Sequence, residues 1–265
     1  MAVDYHLEGH VAVITGSTSG IGQALATALA EQGVNVVLNG FGDPDKIEAD
    51  RAAIQRKTNA RVLYHGADMT KPDQIAALIA YAHKELGRLD ILVNNAGIQY
   101  VAPVDEYPEE RWDALIAVIL SSTFHATKAA IPIMKAQGRG RIVNIASAHG
   151  LVASAFKAPY VAAKFGVVGF TKGCAVELAR TGITVNAICP GYVKTPLIEA
   201  QVIDQAKTRG IPEDRVIQDV ILAAQPNKTF VEYSHLAGML LYLVSDMGAS
   251  ATGAALSVDG GWTAT

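Results

Sequence analysis

Short, nearly uninterrupted aliphatic and β-branched runs recur along the chain and alternate with longer segments whose apolar positions return at helical spacing. The runs Val11–Thr15, Val34–Leu38, Arg61–Tyr64, Asp90–Val93, Arg141–Ala146, Ile183–Ile188 and Ala254–Val258 predict seven strands. They lack polar alternation, as strands covered on both faces of a parallel sheet do. The intervening segments Ile21–Gln32, Asp45–Lys57, Pro72–Leu86, Pro108–Gln137, Pro159–Arg180 and Tyr233–Ser245 predict helices. Strand–helix alternation without a break in composition implies an α/β protein with a doubly wound parallel sheet, in a single domain over residues 1–265.

One stretch departs from this rhythm. Residues 195–230 contain no strand, and Pro212 after Gly210 divides them into the helices Leu197–Lys207 and Glu213–Ala224. A helical insertion of this length is expected to act as a lid.

Composition narrows the function. Half of the residues are hydrophobic, so a large core is available. The 22 basic and 25 acidic residues leave a net charge of −3, without the basic excess that a nucleic-acid partner requires. Cys174 and Cys189 are too few for a disulfide scaffold in so long a chain, which suggests buried thiols in a reducing compartment. The uncharged run Val11–Ala30 is long enough to span a membrane. Its centre, Thr15-Gly16-Ser17-Thr18-Ser19-Gly20, would be costly in lipid, so a strand, a turn and a helix are the better reading. The N-terminal residues show neither a basic start nor an apolar core, and the expectation is a soluble, cytoplasmic protein with no membrane partner and no metal.

Candidate chemistry lies at the ends of the predicted strands. The first runs into Thr15-Gly16-Ser17-Thr18-Ser19-Gly20-Ile21-Gly22 and then into a helix. Glycines there let the backbone approach a pyrophosphate, and a helix N-terminus offers unpaired N–H groups. A glycine-rich turn alone is a weak signal, but its place between strand and helix sharpens it. The second strand ends near Asn39-Gly40-Phe41, with no Lys or Arg between Gly33 and Asp45. Nothing obvious there would neutralise a 2′-phosphate, so NAD is the expected cofactor rather than NADP. Asp68 is placed either to accept from an adenine amino group or to cap a helix. Asn94-Asn95-Ala96-Gly97 follows strand four, where amides bind a ligand, tie down loop backbone, or do both. Tyr160 and Lys164 sit four apart on one helical face, and an ammonium beside a phenol favours the phenolate. Ser147, at the end of strand five, is placed to hold a substrate oxygen with Tyr160.

In order and spacing these residues resemble the short-chain dehydrogenase/reductase family from about Leu7 to the end of the chain. The resemblance rests on Thr15–Gly22, Asn94–Gly97, Ser147, Tyr160 with Lys164, and Pro190-Gly191. It implies a Rossmann-like fold and hydride transfer at a carbinol carbon, with Ser147, Tyr160 and Lys164 catalytic and Tyr160 the general acid/base. It further implies cofactor contacts from Gly16, Thr18, Ser19, Gly20, Ile21, Gly22, Phe41, Asp68, Met69, Asn95, Gly97, Tyr160, Lys164 and Pro190. Val193 and Thr195 would hold the carboxamide. A homotetramer is also implied, and the apolar stretch Phe165–Phe170 offers surface for it.

A finer resemblance, to family members acting on (R)-3-hydroxybutyrate, rests on Leu38–Gly42, Gly97-Ile98-Gln99, Ala146–Ser154 and Ser257–Thr263. It implies that Gln99, His149, Lys157 and Gln201 bind a substrate carboxylate, beside Ser147 and Tyr160. A small β-hydroxy acid offers little else to hold, and Lys and His can pair with its charge. Trp262 reads as core or subunit contact. Another short hydroxy acid, a sugar, or a relay-impaired NAD-binding protein are the alternatives. The last is motivated by Ile119, which stands where the family places an asparagine that fixes a proton-relaying water. Isoleucine cannot hold that water and is expected to let the helix straighten, unless Ser121 or Ser122 holds a substitute.

Overall fold

The computed structural model describes residues 4–195, 198–199, 202–203, 206–207 and 210–264. The seven apolar runs form β1 (Val11–Ile14), β2 (Asn35–Asn39), β3 (Val62–His65), β4 (Ile91–Asn94), β5 (Gly140–Ile145), β6 (Ile183–Pro190) and β7 (Ala255–Val258). They make one sheet in the order β3-β2-β1-β4-β5-β6-β7, and every pairing is parallel. The order reverses beside β1, so a crevice opens between the C-terminal ends of β1 and β4, where open parallel sheets bind ligands.

Successive strand residues point to opposite faces, and in the central strands β1, β4, β5 and β6 both faces are buried. In β1, Ala12 and Ile14 join one core, shared with α1 (Gly20–Glu31) and the helix Tyr233–Val244. Val11 and Val13 join the other, shared with α3 (Pro72–Leu86), α5 (Ser122–Gln137) and α6 (Ala158–Leu178). Between α1 and α3 lies α2 (Pro44–Lys57), begun by Pro44 and capped by the Asp43 carboxylate, which accepts from the N–H groups of Asp45 and Lys46. Cys189 is buried and Cys174 half-buried.

The helix expected over Pro108–Gln137 is present with a bulge. α4 (Glu109–Ile116) passes through a π-helical turn, Ala117–Ser121, into α5. This Glu109–Gln137 run is long and apolar enough to cross a membrane, yet α5 lies against α3 and β5. Within 195–230, the described residues include a helical turn at Glu213–Val216, a π turn at Ile217–Ile221 and a 3-10 turn at Leu222–Ala224. Val202, Val216, Ile221 and Leu222 form a small core of their own, joined by Tyr192 and Phe230.

Candidate active site

The glycine-rich turn is built by hydrogen bonds from the neighbouring strand. Thr15 Oγ1 accepts from the N–H groups of Asn95 and Ala96, each at 3.0 Å. Asn95 Nδ2 returns across the gap to the carbonyls of Thr15 (3.0 Å) and Gly16 (2.8 Å). The chain can fold this tightly because Gly16 and Gly20 take φ values of +62° and +57°, and because a Cβ on Gly22 would lie 2.3 Å from the Gly16 carbonyl oxygen. Ser19, at the N-cap of α1, makes no side-chain capping bond, so the first N–H groups of the helix stay available for an anion.

A cavity of about 540 Å³ runs along this turn. Gly16, Thr18, Ser19, Gly20, Ile21, Gly22, Phe41, Asp68, Met69, Asn95, Gly97, Ser147, Tyr160, Lys164, Pro190 and Thr195 all line it, while Val193 lines the adjoining pocket. An elongated cleft, an uncapped helix N-terminus and glycines at close approach fit a dinucleotide. Among the described residues lining the larger cavity, Lys164 is the one basic side chain. Asn39 is fully buried and serves the loops, donating to the carbonyls of His65 and Ala67 and accepting from Gly16 N–H. Asn94 likewise joins a buried network with Thr127 and Asn144. Asp68 accepts from the N–H and hydroxyl of Thr70, which holds its carboxyl below the usual range.

Tyr160 and Lys164 lie on the first turns of α6, with Lys164 Nζ 5.6 Å from the Tyr160 ring centre and donating to the Ile145 carbonyl at 2.7 Å. Burial pushes the phenol up to about 12, partly offset by its hydrogen bond with Ser147. Burial also lowers Lys164 to about 8. In the protein alone desolvation therefore outweighs what the neighbouring groups supply, and ionising the phenol needs the lysine together with the nicotinamide cation. Tyr160 rests as a neutral proton donor.

Next to this pair is a pocket of about 140 Å³ lined by Gln99, Ser147, His149, Lys157, Tyr160, Tyr192 and Trp262, among others. Ser147 starts the 3-10 turn Ala148–Gly150, and its hydroxyl accepts from His149 N–H at 3.1 Å. That turn buries His149, whose Nε2 lies 2.9 Å from Ser154 Oγ. Burial and the nearby Lys157 lower His149 to about 4. In the protein alone the ring is thus neutral near pH 7 and offers a hydrogen bond rather than a charge. Lys157 Nζ donates to the Tyr192 hydroxyl at 3.1 Å. Gln201 lies outside the described residues.

Tyr192 and Trp262 were not legible as site residues. Tyr192 stacks on Trp262 with ring centres 5.4 Å apart and planes at 7°, and Trp262 meets His149 edge-on at 4.8 Å. Trp262 is a wall of the pocket, not merely core. The only signal for either was an aromatic residue beside Pro190-Gly191 and another near the end of the chain.

Ile119 is 1% exposed and packs with Leu115, Ala163 and Val167. The surrounding turn keeps its π geometry, with Ser122 N–H bonded to the Ala117 carbonyl, so the expected straightening does not occur. The Ser122 hydroxyl is engaged by the Val118 carbonyl at 2.6 Å.

The short chain dehydrogenase family profile matches residues 10–206. The chain is 56% identical over 253 residues to a D-beta-hydroxybutyrate dehydrogenase of Rhizobium meliloti (strain 1021), covering 96% of this chain and 98% of that one. It is 51% identical over 258 residues to the enzyme of the same name from Cupriavidus necator, covering 97% and 99%. Among solved structures, L-sorbose reductase from Gluconobacter frateurii, complexed with NADPH and L-sorbose, superposes with a TM-score of 0.94 at 30% identity, covering 99% of this chain and 100% of that one.

Proposed function

Since the chain belongs to the short chain dehydrogenase family, we propose that it interconverts (R)-3-hydroxybutyrate and acetoacetate with NAD. The observation that carries this reading is the convergence of Lys157, His149 and Gln99 on a small pocket that also contains Ser147 and Tyr160. A four-carbon acid offers one charge, and Lys157 supplies the matching cation while His149 and Gln99 add hydrogen bonds. The names and extent of the two bacterial relatives support the same substrate.

A nicotinamide cofactor bound along the glycine-rich turn supplies the hydride acceptor or donor. Gly16 through Gly22 and Asn95 would receive the pyrophosphate end of that cofactor, and Val193 and Thr195, which line the adjoining walls, would hold the carboxamide. Among the described residues, those lining the adenosine end carry no basic group, which supports NAD over NADP. Ser147 holds the substrate oxygen, and Tyr160 gives or takes its proton. Lys164 adds positive charge beneath the phenol and favours its ionised form when the alcohol is oxidised. Residues 195–230 act as a lid on one continuous domain, a role supported by their separate small core. Family likeness and the exposed Phe124 on α5 and Phe165 on α6 support a homotetramer.

Tyr160→Phe tests the assignment. Turnover should fall by about 100-fold or more while NADH binding is nearly unchanged, because the ring is kept and only the acid/base group is lost. Retention of more than about a tenth of the wild-type rate, against that expected loss, would remove Tyr160 from the chemistry.

A further inference from the structure

At the opposite edge of the sheet from the cleft, where β5 and β6 begin, lies a second cavity of about 450 Å³. Among the described residues it shares no lining residue with the active-site pockets. Its walls are the turn into β5 (Gly138, Arg139, Arg141), the turn into β6 (Gly182, Ile183, Thr184) and the loop before β7 (Asp246, Thr252). The two turns meet closely, since a Cβ on Gly182 would lie 2.1 Å from the Gly138 carbonyl oxygen.

Charge in this cavity does not balance. Arg139 and Arg141 share one carboxylate, that of Asp246. Arg141 is only 4% exposed, a costly place for a cation without full compensation. Its NH1 donates to the carbonyls of Gly140 (3.0 Å) and Gly182 (3.2 Å), its NH2 is 3.7 Å from Asp246, and its Nε has no partner. Arg139 spends NH1 on Asp246 and its Nε is also unpartnered. Among the described residues the NH2 group of neither guanidinium makes a hydrogen bond. Asp246 is itself 72% exposed, so water weakens the single carboxylate that the two guanidiniums share.

Two guanidiniums sharing one carboxylate leave one net positive charge, and NH2 groups without hydrogen bonds on a concave wall suit an oxyanion with several acceptor oxygens, such as a phosphate. We propose that this cavity is a binding site for a phosphate group, held by Arg139 and Arg141 and separate from the cofactor cleft. The volume falls within the range of small-molecule sites and leaves room for a short organic substituent on the phosphate.

Binding is measured by isothermal titration of the full chain with inorganic phosphate and, separately, with glycerol 3-phosphate, against chloride at equal ionic strength. Saturable binding of either probe that persists with the cofactor cleft filled by NADH is the expected result. Tighter binding of the ester assigns the site to phosphate monoesters, and equal binding assigns it to free phosphate. Arg139→Gln, at a partly exposed position, should weaken binding about tenfold without altering NADH affinity. Asp246→Asn should tighten it by removing the competing carboxylate. The proposal is overturned if neither probe binds beyond chloride, if NADH displaces the probe, or if Arg139→Gln leaves the affinity unchanged.

Discussion

Ile119 poses the sharpest question at the scale of single residues. It fills a buried position against Leu115, Ala163 and Val167, close to the face of α6 that carries Tyr160 and Lys164. Lys164 Nζ reaches the Ile145 carbonyl, and the Ser122 hydroxyl is committed to the Val118 carbonyl. An aliphatic side chain offers no hydrogen bond with which to order a proton-carrying water. Ile119→Asn should therefore raise kcat about tenfold, by the scale of general acid/base effects, with little change in NAD affinity. It should also lower stability, since it places an amide among apolar neighbours. An unchanged or lower kcat, measured beside the NAD dissociation constant, would show that proton supply does not limit this enzyme. Only part of this site was legible from residue type. Tyr160 and Lys164 declare themselves by spacing, but the level of the phenol depends on burial, which no local pattern reports.

Among the elements, the short turn after β5 carries the most consequence. Ser147 caps it, and it buries His149 among Trp262, Tyr160 and Ser154. His149 is lowered from 6.5 to about 4, so the unfolded chain takes up a proton that the folded chain refuses. Stability then falls as pH drops from about 6.5 to about 4, and the loss attributable to this ring is about 3 kcal/mol. Urea unfolding at the two ends of that window should show wild type losing this much more than His149→Gln, and equal losses would mean the ring is not held neutral. The π turn Ala117–Ser121 belongs to the same scale. Periodicity placed its helix correctly, but a one-residue bulge leaves no mark on the spacing of apolar side chains, so Ile119 gave a misleading hint of a straight helix. The strands were legible to within two residues, and the central ones stand out because both their faces are buried.

For the whole molecule, the arrangement follows from one sheet with its chemistry at one edge. Tyr192, after β6, and Trp262, after β7, are far apart in sequence, and only adjacency of those strands stacks them into one wall. Long-range pairing of that kind is what sequence patterns do not show. Exposed Phe124 and Phe165 on α5 and α6, with Phe124 also touching Phe170, form an apolar surface suited to burial between subunits. Light scattering should give four times the 27.9 kDa chain mass, and a monomer at micromolar concentration would contradict the tetramer. The most direct measurement for the account as a whole is the initial rate of reduced-cofactor formation, taken with NAD or NADP and with (R)-3-hydroxybutyrate or butan-2-ol. Butan-2-ol offers Lys157 no charge to bind, and the described residues at the adenosine end of the cleft include no cation for a 2′-phosphate. Oxidation of (R)-3-hydroxybutyrate with NAD should far exceed the other three combinations. Comparable rates for the acid and the simple alcohol would contradict recognition through the carboxylate.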